Sequence, residues 1–242
     1  MRWLWFLIAS AISWISRLSG RGEGSTIAGA TLLKLSPNII SKLASHRRVL
    51  LVSGTNGKTS TSKMIARALG SQRVASNASG ANLPAGIATA LALAPRADFA
   101  ILEVDELYLP QVLEQTRAEK VLLLNLSRDQ LDRVSEVRKT AARWRDAMRG
   151  TAALVVANAD DPSVVYAARE ATRVEWVAAS SNWRVDATSC PSCGARIRFG
   201  EDRWNCEECD LSRPEPTWSL DDDGRVHAPV GGGHRIELAM PG

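Results

Sequence analysis

The chain has 242 residues, 45% hydrophobic and 23% charged, ample for one α/β core with a small appendage. The formal charge of +4 is mild and its basic residues are scattered, which suits phosphate-bearing partners and does not call for nucleic acid. All four cysteines fall between residues 190 and 209, which excludes a disulfide framework elsewhere in the chain.

The opening stretch, MRWLWFLIASAISWISRLSG, places Leu4, Leu7, Ile8, Ala11, Ile15 and Leu18 on one helical face. Ser10, Ser13 and Arg17 lie opposite, with Trp3, Trp5 and Trp14 near the ends. Its apolar core is too short to span a bilayer comfortably. Three readings stay open: a membrane-surface helix, a signal peptide, and a helix packed on the protein's own domain. The first ranks above the second, because a nucleotide loop and a thiol cluster downstream suit a reducing, ATP-containing compartment, the cytoplasm. The segment GRGEGSTIAG then reads as a flexible linker, and Pro37 opens a short helix in NIISKLASH.

Arg48 to Ala66, RVLLVSGTNGKTSTSKMIA, runs from a β-branched apolar strand through a glycine-rich turn into a helical pattern. Gly54-Thr55-Asn56-Gly57-Lys58-Thr59 therefore stands at a strand-to-helix junction, followed by Ser60. Glycines let backbone N–H groups approach phosphates, Lys58 can reach the terminal phosphates, and the Thr59 hydroxyl can ligate Mg²⁺. A purely structural glycine turn needs no cation there. The common phosphate loop has glycine where Val52 stands, so this is a shortened variant.

Val74 to Ser76 reads as a short strand, and Asn82 precedes Pro84 at the start of a helix, where it can cap the helix or touch a nucleotide. Three apolar runs follow, FAILEVDE, KVLLLNLSRDQLDR and AALVVANADDP, separated by helical stretches beginning near Pro110, Val134 and Pro162. This alternation predicts a parallel sheet with ligands outside the carboxyl ends of its strands. Those ends carry Glu103 and Asp105, Asn125 and Asp129, then Asn158, Asp160 and Asp161. Glu103, which ends a buried strand, is expected to hold Mg²⁺ directly or through water; for Asp160 or Asp161, before Pro162, a helix cap competes with a ligand role.

Cys190-Pro-Ser-Cys193, twelve intervening residues and Cys206-Glu-Glu-Cys209 form two thiolate knuckles, predicting a closed Cys₄ zinc site. Disulfides are the alternative, disfavoured by compartment. With all four thiolates on zinc, no cysteine is left as a nucleophile. Residues 217–242 read as β-hairpins, with His227 and His234 as surface residues.

The phosphate loop, the segment NLSRDQLDR from Asn125 to Arg133 and the segment NADDP from Asn158 to Pro162 resemble, in that order, the central ATPase domain of the Mur ligase superfamily. The Cys₄ ribbon after NADDP and the upstream GRGEGS narrow the resemblance to its MurT-type branch. The resemblance implies an α/β, phosphate-loop, parallel-sheet central domain with a zinc-ribbon insertion. It divides the chain into a segment 1–19, a linker with a short helix 20–46, and an ATPase domain 47–242 that includes a ribbon at 186–213, the C-terminal ligase domain being absent. It further implies ATP, Mg²⁺ and Zn²⁺ as cofactors. Nucleotide contacts would come from Gly54 to Ser60, Asn82, Asn158 and Asp161, metal contacts from Thr59 and Glu103, and catalysis from Lys58 and Glu103. The reaction implied is ATP-dependent activation of the stem-peptide glutamate of lipid II and amidation by ammonia, delivered by a glutamine amidotransferase subunit of the GatD type. Gln130 stands where many Mur ligases have a metal-binding histidine, so a second Mg²⁺ is not expected to follow from the pattern. Two rivals differ in class. One is another Mur-type amino-acid or polyglutamate ligase. The other is a zinc-ribbon nucleic-acid ATPase, for which Arg196, Arg198, Arg203 and Trp204 are offset by Glu207, Glu208 and Asp210.

Overall fold

The structure, a computed structural model, describes residues 2–18, 25–78, 80–127, 134–179, 187–201, 203–221, 223–229 and 234–235. Residues 1–124 and 125–242 form two compact units.

The first unit opens with α1 (Arg2–Leu18), α2 (Ser25–Leu35) and α3 (Ile39–Ala44). The α/β alternation follows: β1 (Arg48–Ser53), α4 (Lys58–Ala68), β2 (Val74–Ser76), α5 (Pro84–Leu93), β3 (Phe99–Val104), α6 (Leu109–Thr116) and β4 (Lys120–Leu123). The four strands lie in the order β4-β1-β3-β2, and every pairing is parallel. β1 and β3 are largely apolar runs, buried at four of six and five of six residues, as suits central parallel strands covered on both faces. The register sets Ser53 beside Val104 and Val52 beside Glu103, so the phosphate loop and Glu103 emerge at the same end of adjacent strands.

Helix α2 occupies much of the stretch expected to be a linker. Its sequence shows little one-sidedness, with Ala28 and Leu32 buried but Ile27 and Leu35 exposed; α2 packs closely on α5, and glycine makes that approach feasible. A Cβ on Gly29 would lie 1.7 Å from the Ala85 carbonyl oxygen. α1 packs against α2 and α5 through its small residues: Ala9, Ser13 and Ser16 are buried, while Trp3, Leu4, Leu7, Trp14 and Ile15 are exposed. The side that carries Ser13, opposite the apolar face, is the packed side.

Arg47, just before β1, ties α3 to the end of α5. Buried, it donates Nε to Ala97 O at 3.1 Å, Nη1 to Leu43 O at 2.9 Å and Leu91 O at 3.0 Å, and Nη2 to Ala94 O at 2.6 Å. A cation at the ends of α3 and α5 satisfies carbonyls that have no helical partner. Burial, with the neighbouring charge of Arg2, lowers its pKa to about 10, which leaves it charged at neutral pH. Arg47→Met is expected to cost about 2–4 kcal/mol by stranding these carbonyls, read as a lower urea midpoint.

The second unit comprises α7 (Val134–Arg149), β5 (Leu154–Asn158), α8 (Pro162–Ala168), β6 (Val174–Ala178), the ribbon strands β7 (Ile197–Phe199) and β8 (Trp204–Cys206), and then β9 (Trp218–Leu220), β10 (Arg225–His227) and β11 (His234–Arg235). β5, β6 and β9 run parallel; β10 and β11 continue antiparallel, giving the expected hairpins at the end of the chain. α7 packs on α8 and buries Ala141, Trp144 and Met148 along one face.

Candidate active site and metal centre

The phosphate loop has the backbone its glycines permit. Gly54 and Gly57 both have positive φ, 151° and 86°, values a side chain would resist. α4 begins at Lys58 with Gly57 in the cap position and no side-chain cap, so its first N–H groups face the loop opening. The Lys58 ammonium folds back over the loop, donating to the Gly54 carbonyl and to Thr55 O at 3.1 Å, and pairs with Glu106 Oε2 at 3.5 Å.

Thr59 Oγ1 donates to Glu103 Oε2 at 2.8 Å. Glu103 is 1% exposed, and its other oxygen, Oε1, has no hydrogen-bond partner among the described residues. A buried carboxylate oxygen without a donor is costly unless a cation satisfies it. A hydroxyl beside that oxygen makes a hard-oxygen pair suited to Mg²⁺. Asn77 holds Glu103 in place: its Oδ1 accepts the Glu103 N–H at 2.8 Å, and its Nδ2 donates to Glu103 O at 2.8 Å and Ala81 O at 2.9 Å.

Asn77 and Glu106 were not singled out in the sequence. Asn77's only local signal is a polar residue closing a short strand, and Glu106 was overshadowed by Glu103 and Asp105. The Asp105 carboxylate serves its own turn, accepting from Leu107 N at 3.0 Å. Asn82 does not cap α5; Leu83 holds that position, and the Asn82 carbonyl accepts from Asp105 N at 3.1 Å.

In the second unit, Asn158 ends β5 and its Oδ1 accepts from Asp160 N at 2.9 Å. Asp161 caps α8: Oδ1 accepts from Ser163 N at 2.8 Å and Val164 N at 3.3 Å, and Oδ2 accepts from Leu126 N at 2.7 Å. Of the two readings open for Asp161, the helix cap is realised. Asp129 and Gln130 lie outside the described residues.

The four cysteines converge, with all Sγ atoms within 4.8 Å of one another. Cys190 and Cys209 Sγ lie 3.6 Å apart, Cys193 and Cys206 3.4 Å. None is disulfide-bonded. Zn–S bonds of about 2.3 Å would place thiolates roughly 3.8 Å apart at the corners of a tetrahedron, so the set fits zinc. Burial pushes the Cys190 thiol up to about 12. Burial also works to raise Cys206, but the Glu208 and Cys209 N–H groups and the neighbouring thiols bring it down to about 7. Among the described residues, these thiols form the only group of three or more His, Cys, Asp or Glu side chains placed to share a metal ion. His227 pairs at the surface with Asp221 at 2.9 Å.

The knuckles rest on the second unit's helices. Arg138 of α7 donates to Pro191 O and Ser192 O, each at 2.9 Å, and Arg169 pairs with Asp210 at 3.2 Å. Within the ribbon, Trp204 is buried and Arg198 pairs with Glu207 at 3.0 Å.

A strand, phosphate loop and helix on a parallel sheet, with a buried carboxylate beside the loop threonine, define a phosphate-loop α/β domain. The chain belongs to the Mur ligase family: residues 52–189 match the Mur ligase middle domain. It is 29% identical over 224 residues to the MurT subunit of lipid II isoglutaminyl synthase (glutamine-hydrolyzing) from Streptococcus pneumoniae, covering 84% of this chain and 50% of that protein. It is 28% identical over 219 residues to the MurT subunit from Staphylococcus aureus, covering 84% and 49%. The chain thus spans about half the length of these relatives. Among solved structures, a pseudomurein peptide ligase type C from Methanothermus fervidus superposes with a TM-score of 0.61 at 21% identity, over 79% of this chain and 42% of that one. MurF ligase from Thermotoga maritima, in complex with ADP, superposes with a TM-score of 0.52 at 15% identity, over 82% and 41%. These two likenesses concern the fold.

Proposed function

We propose that this chain is the nucleotide-binding part of an ATP-dependent carbon–nitrogen ligase that amidates the stem-peptide glutamate of lipid II. The observation that carries the reading is the Thr59–Glu103 pair with its unpartnered carboxylate oxygen beside the phosphate loop. The likeness to MurT subunits supplies the substrate class. In the proposed reaction the glutamate carboxylate attacks the γ-phosphorus of ATP and ADP departs. Ammonia from a GatD-type glutamine amidotransferase partner then attacks the acyl phosphate carbonyl, inorganic phosphate leaves, and the nitrogen loses a proton to give the amide.

Within this scheme the loop N–H groups and Lys58 bind and orient the phosphates, while Asn82, Asn158 and Asp161 lie near the nucleotide. Thr59 and Glu103 would hold Mg²⁺, which neutralises charge on the transferring phosphoryl group. Glu106 keeps Lys58 over the loop until phosphate replaces it as the counter-ion. Cys190, Cys193, Cys206 and Cys209 would hold Zn²⁺ as a closed structural site.

The test is ATP- and glutamine-dependent amidation of lipid II by the protein with a GatD-type glutamine amidotransferase. Addition of an amino acid in place of ammonia would instead select the other Mur-type ligase reading.

We also place the protein at the cytoplasmic face of the membrane. No helix among the described residues is long and apolar enough to cross a membrane. The outward side of α1 nevertheless presents Leu7 and Trp14, each 62% exposed, with Trp3, Leu4 and Ile15. Arg96 stacks its guanidinium over the Trp3 ring at 4.8 Å, and the only charged residues in α1 and α2 are basic. Inserting such side chains gains roughly 1.5–3 kcal/mol each before ordering costs, enough for reversible attachment. Replacing Leu7 and Trp14 together by serine is expected to abolish co-sedimentation with phosphatidylglycerol vesicles without lowering the melting temperature. No binding by the unaltered chain would overturn the placement.

A further inference from the structure

The ribbon is fastened to a particular turn of the second unit as well as to its helices. Trp204 stands two residues before Cys206 and is 3% exposed; its indole Nε1 donates to the Ala159 carbonyl at 3.0 Å. Arg213, just beyond the second knuckle, donates Nε to Asp160 Oδ1 at 2.8 Å, and these side chains are only 15% and 8% exposed. The other Asp160 oxygen accepts from Ala179 N at 2.8 Å, and Asp160 N donates to the Asn158 side chain. The turn from Asn158 to Asp161 is thus held by its own strand, by the end of β6 and by two ribbon residues distant in sequence.

The attachment is continuous with the thiol cluster. Cys190, Cys206, Ile197, Trp204 and Leu211 form one buried cluster with Val165 of α8, and Tyr166 and Trp176 pack against it. Trp204 and Cys206 share the three-residue strand β8. A disturbance at the thiols therefore reaches the indole through one short, rigid element, and from there the Ala159 carbonyl.

We propose that Trp204 and Arg213 are positioning residues for the Asn158–Asp161 turn, so that the metal-bound ribbon sets the shape of a nucleotide-side turn without touching nucleotide. This rests on the reading of Asn158 and Asp161 as nucleotide neighbours. It gives the inserted ribbon a role inside its own domain. Breaking a mostly buried Arg–Asp pair from one side takes the cation away from the Asp160 carboxylate, which is expected to loosen the turn. Groups that orient a binding residue from behind typically alter affinity by about 10–100-fold.

The experiment compares Arg213→Met, Arg213→Lys and Trp204→Phe in the full chain, the last keeping an aromatic side chain, smaller than the indole, while deleting the N–H donor. Hydrogen exchange is followed at the amides of Asp160, Ser163 and Val164, alongside zinc content and the dissociation constant for ATP. The expected result for Arg213→Met is exchange at those three amides faster by about tenfold, ATP binding weaker by about tenfold and unchanged zinc, with partial recovery in Arg213→Lys. Should Arg213→Met fail to fold, Trp204→Phe decides by the same readings. Unchanged exchange in a zinc-loaded variant overturns the proposal, as does faster exchange with unchanged ATP affinity. If the unaltered chain binds no ATP, the nucleotide reading falls, and with it the functional half of this proposal, while the exchange data still decide whether the ribbon holds the turn.

Discussion

Lys58→Ala is expected to lower ATP turnover by at least about a hundredfold, because an electrostatic clamp on a transferring phosphoryl group is typically worth that much or more. The melting temperature should barely move. The side chain's contacts are the Gly54 and Thr55 carbonyls and Glu106, all at the loop, and none belongs to the buried core. In the variant those carbonyls can turn to water, and the positive φ of Gly54 and Gly57 does not depend on the lysine. Lys58→Arg serves as a control that retains charge but not shape, and should recover only part of the activity. Phosphate release measured with lipid II and the proposed glutamine amidotransferase partner checks both variants. Wild-type turnover in folded Lys58→Ala would remove the loop from the mechanism.

Removal of zinc is expected to have the largest effect on the fold. One zinc per chain should be found by elemental analysis after purification under reducing conditions. Cys190→Ser should lose the metal, and with it the protease resistance of residues 187–213. The ribbon's own strands supply little, since β7 and β8 have three residues each and form a separate two-stranded sheet. Structural zinc supplies about 10–16 kcal/mol in small thiolate-bound domains, far more than such a hairpin gains from packing. Cys190 is the informative position. Its Sγ lies against Cys209, its backbone N–H closes the first knuckle on Ala195 O at 2.6 Å, and it belongs to the core shared with α8. Zinc-free wild-type protein with an intact, protease-resistant ribbon would overturn the assignment.

What the sequence determined by itself was whatever physical chemistry writes into neighbouring residues. Gly54 to Thr59 form a cradle because the glycines, the lysine and the threonine follow one another along the backbone. The two Cys-x-x-Cys knuckles carry their own spacing, and the buried runs of β1 and β3 announce a parallel sheet through composition alone. The tertiary structure decided everything that joins residues distant in the chain. Asn77 reaches the backbone of Glu103 only because β2 lies beside β3, and Glu106 meets Lys58 only because β3 and β1 end together. Arg47 gathers the ends of two helices, and Trp204 and Arg213 reach a turn 45 and 53 residues away. The outward side of α1 is the sharpest case. Its sequence marks an apolar face and a serine face, and the usual expectation buries the first. Here the small residues Ala9, Ser13 and Ser16 face the close-packed α2 and α5, so the large side chains are left outside. Periodicity reveals that a helix has two faces; which one is buried depends on the shape of the surface it meets.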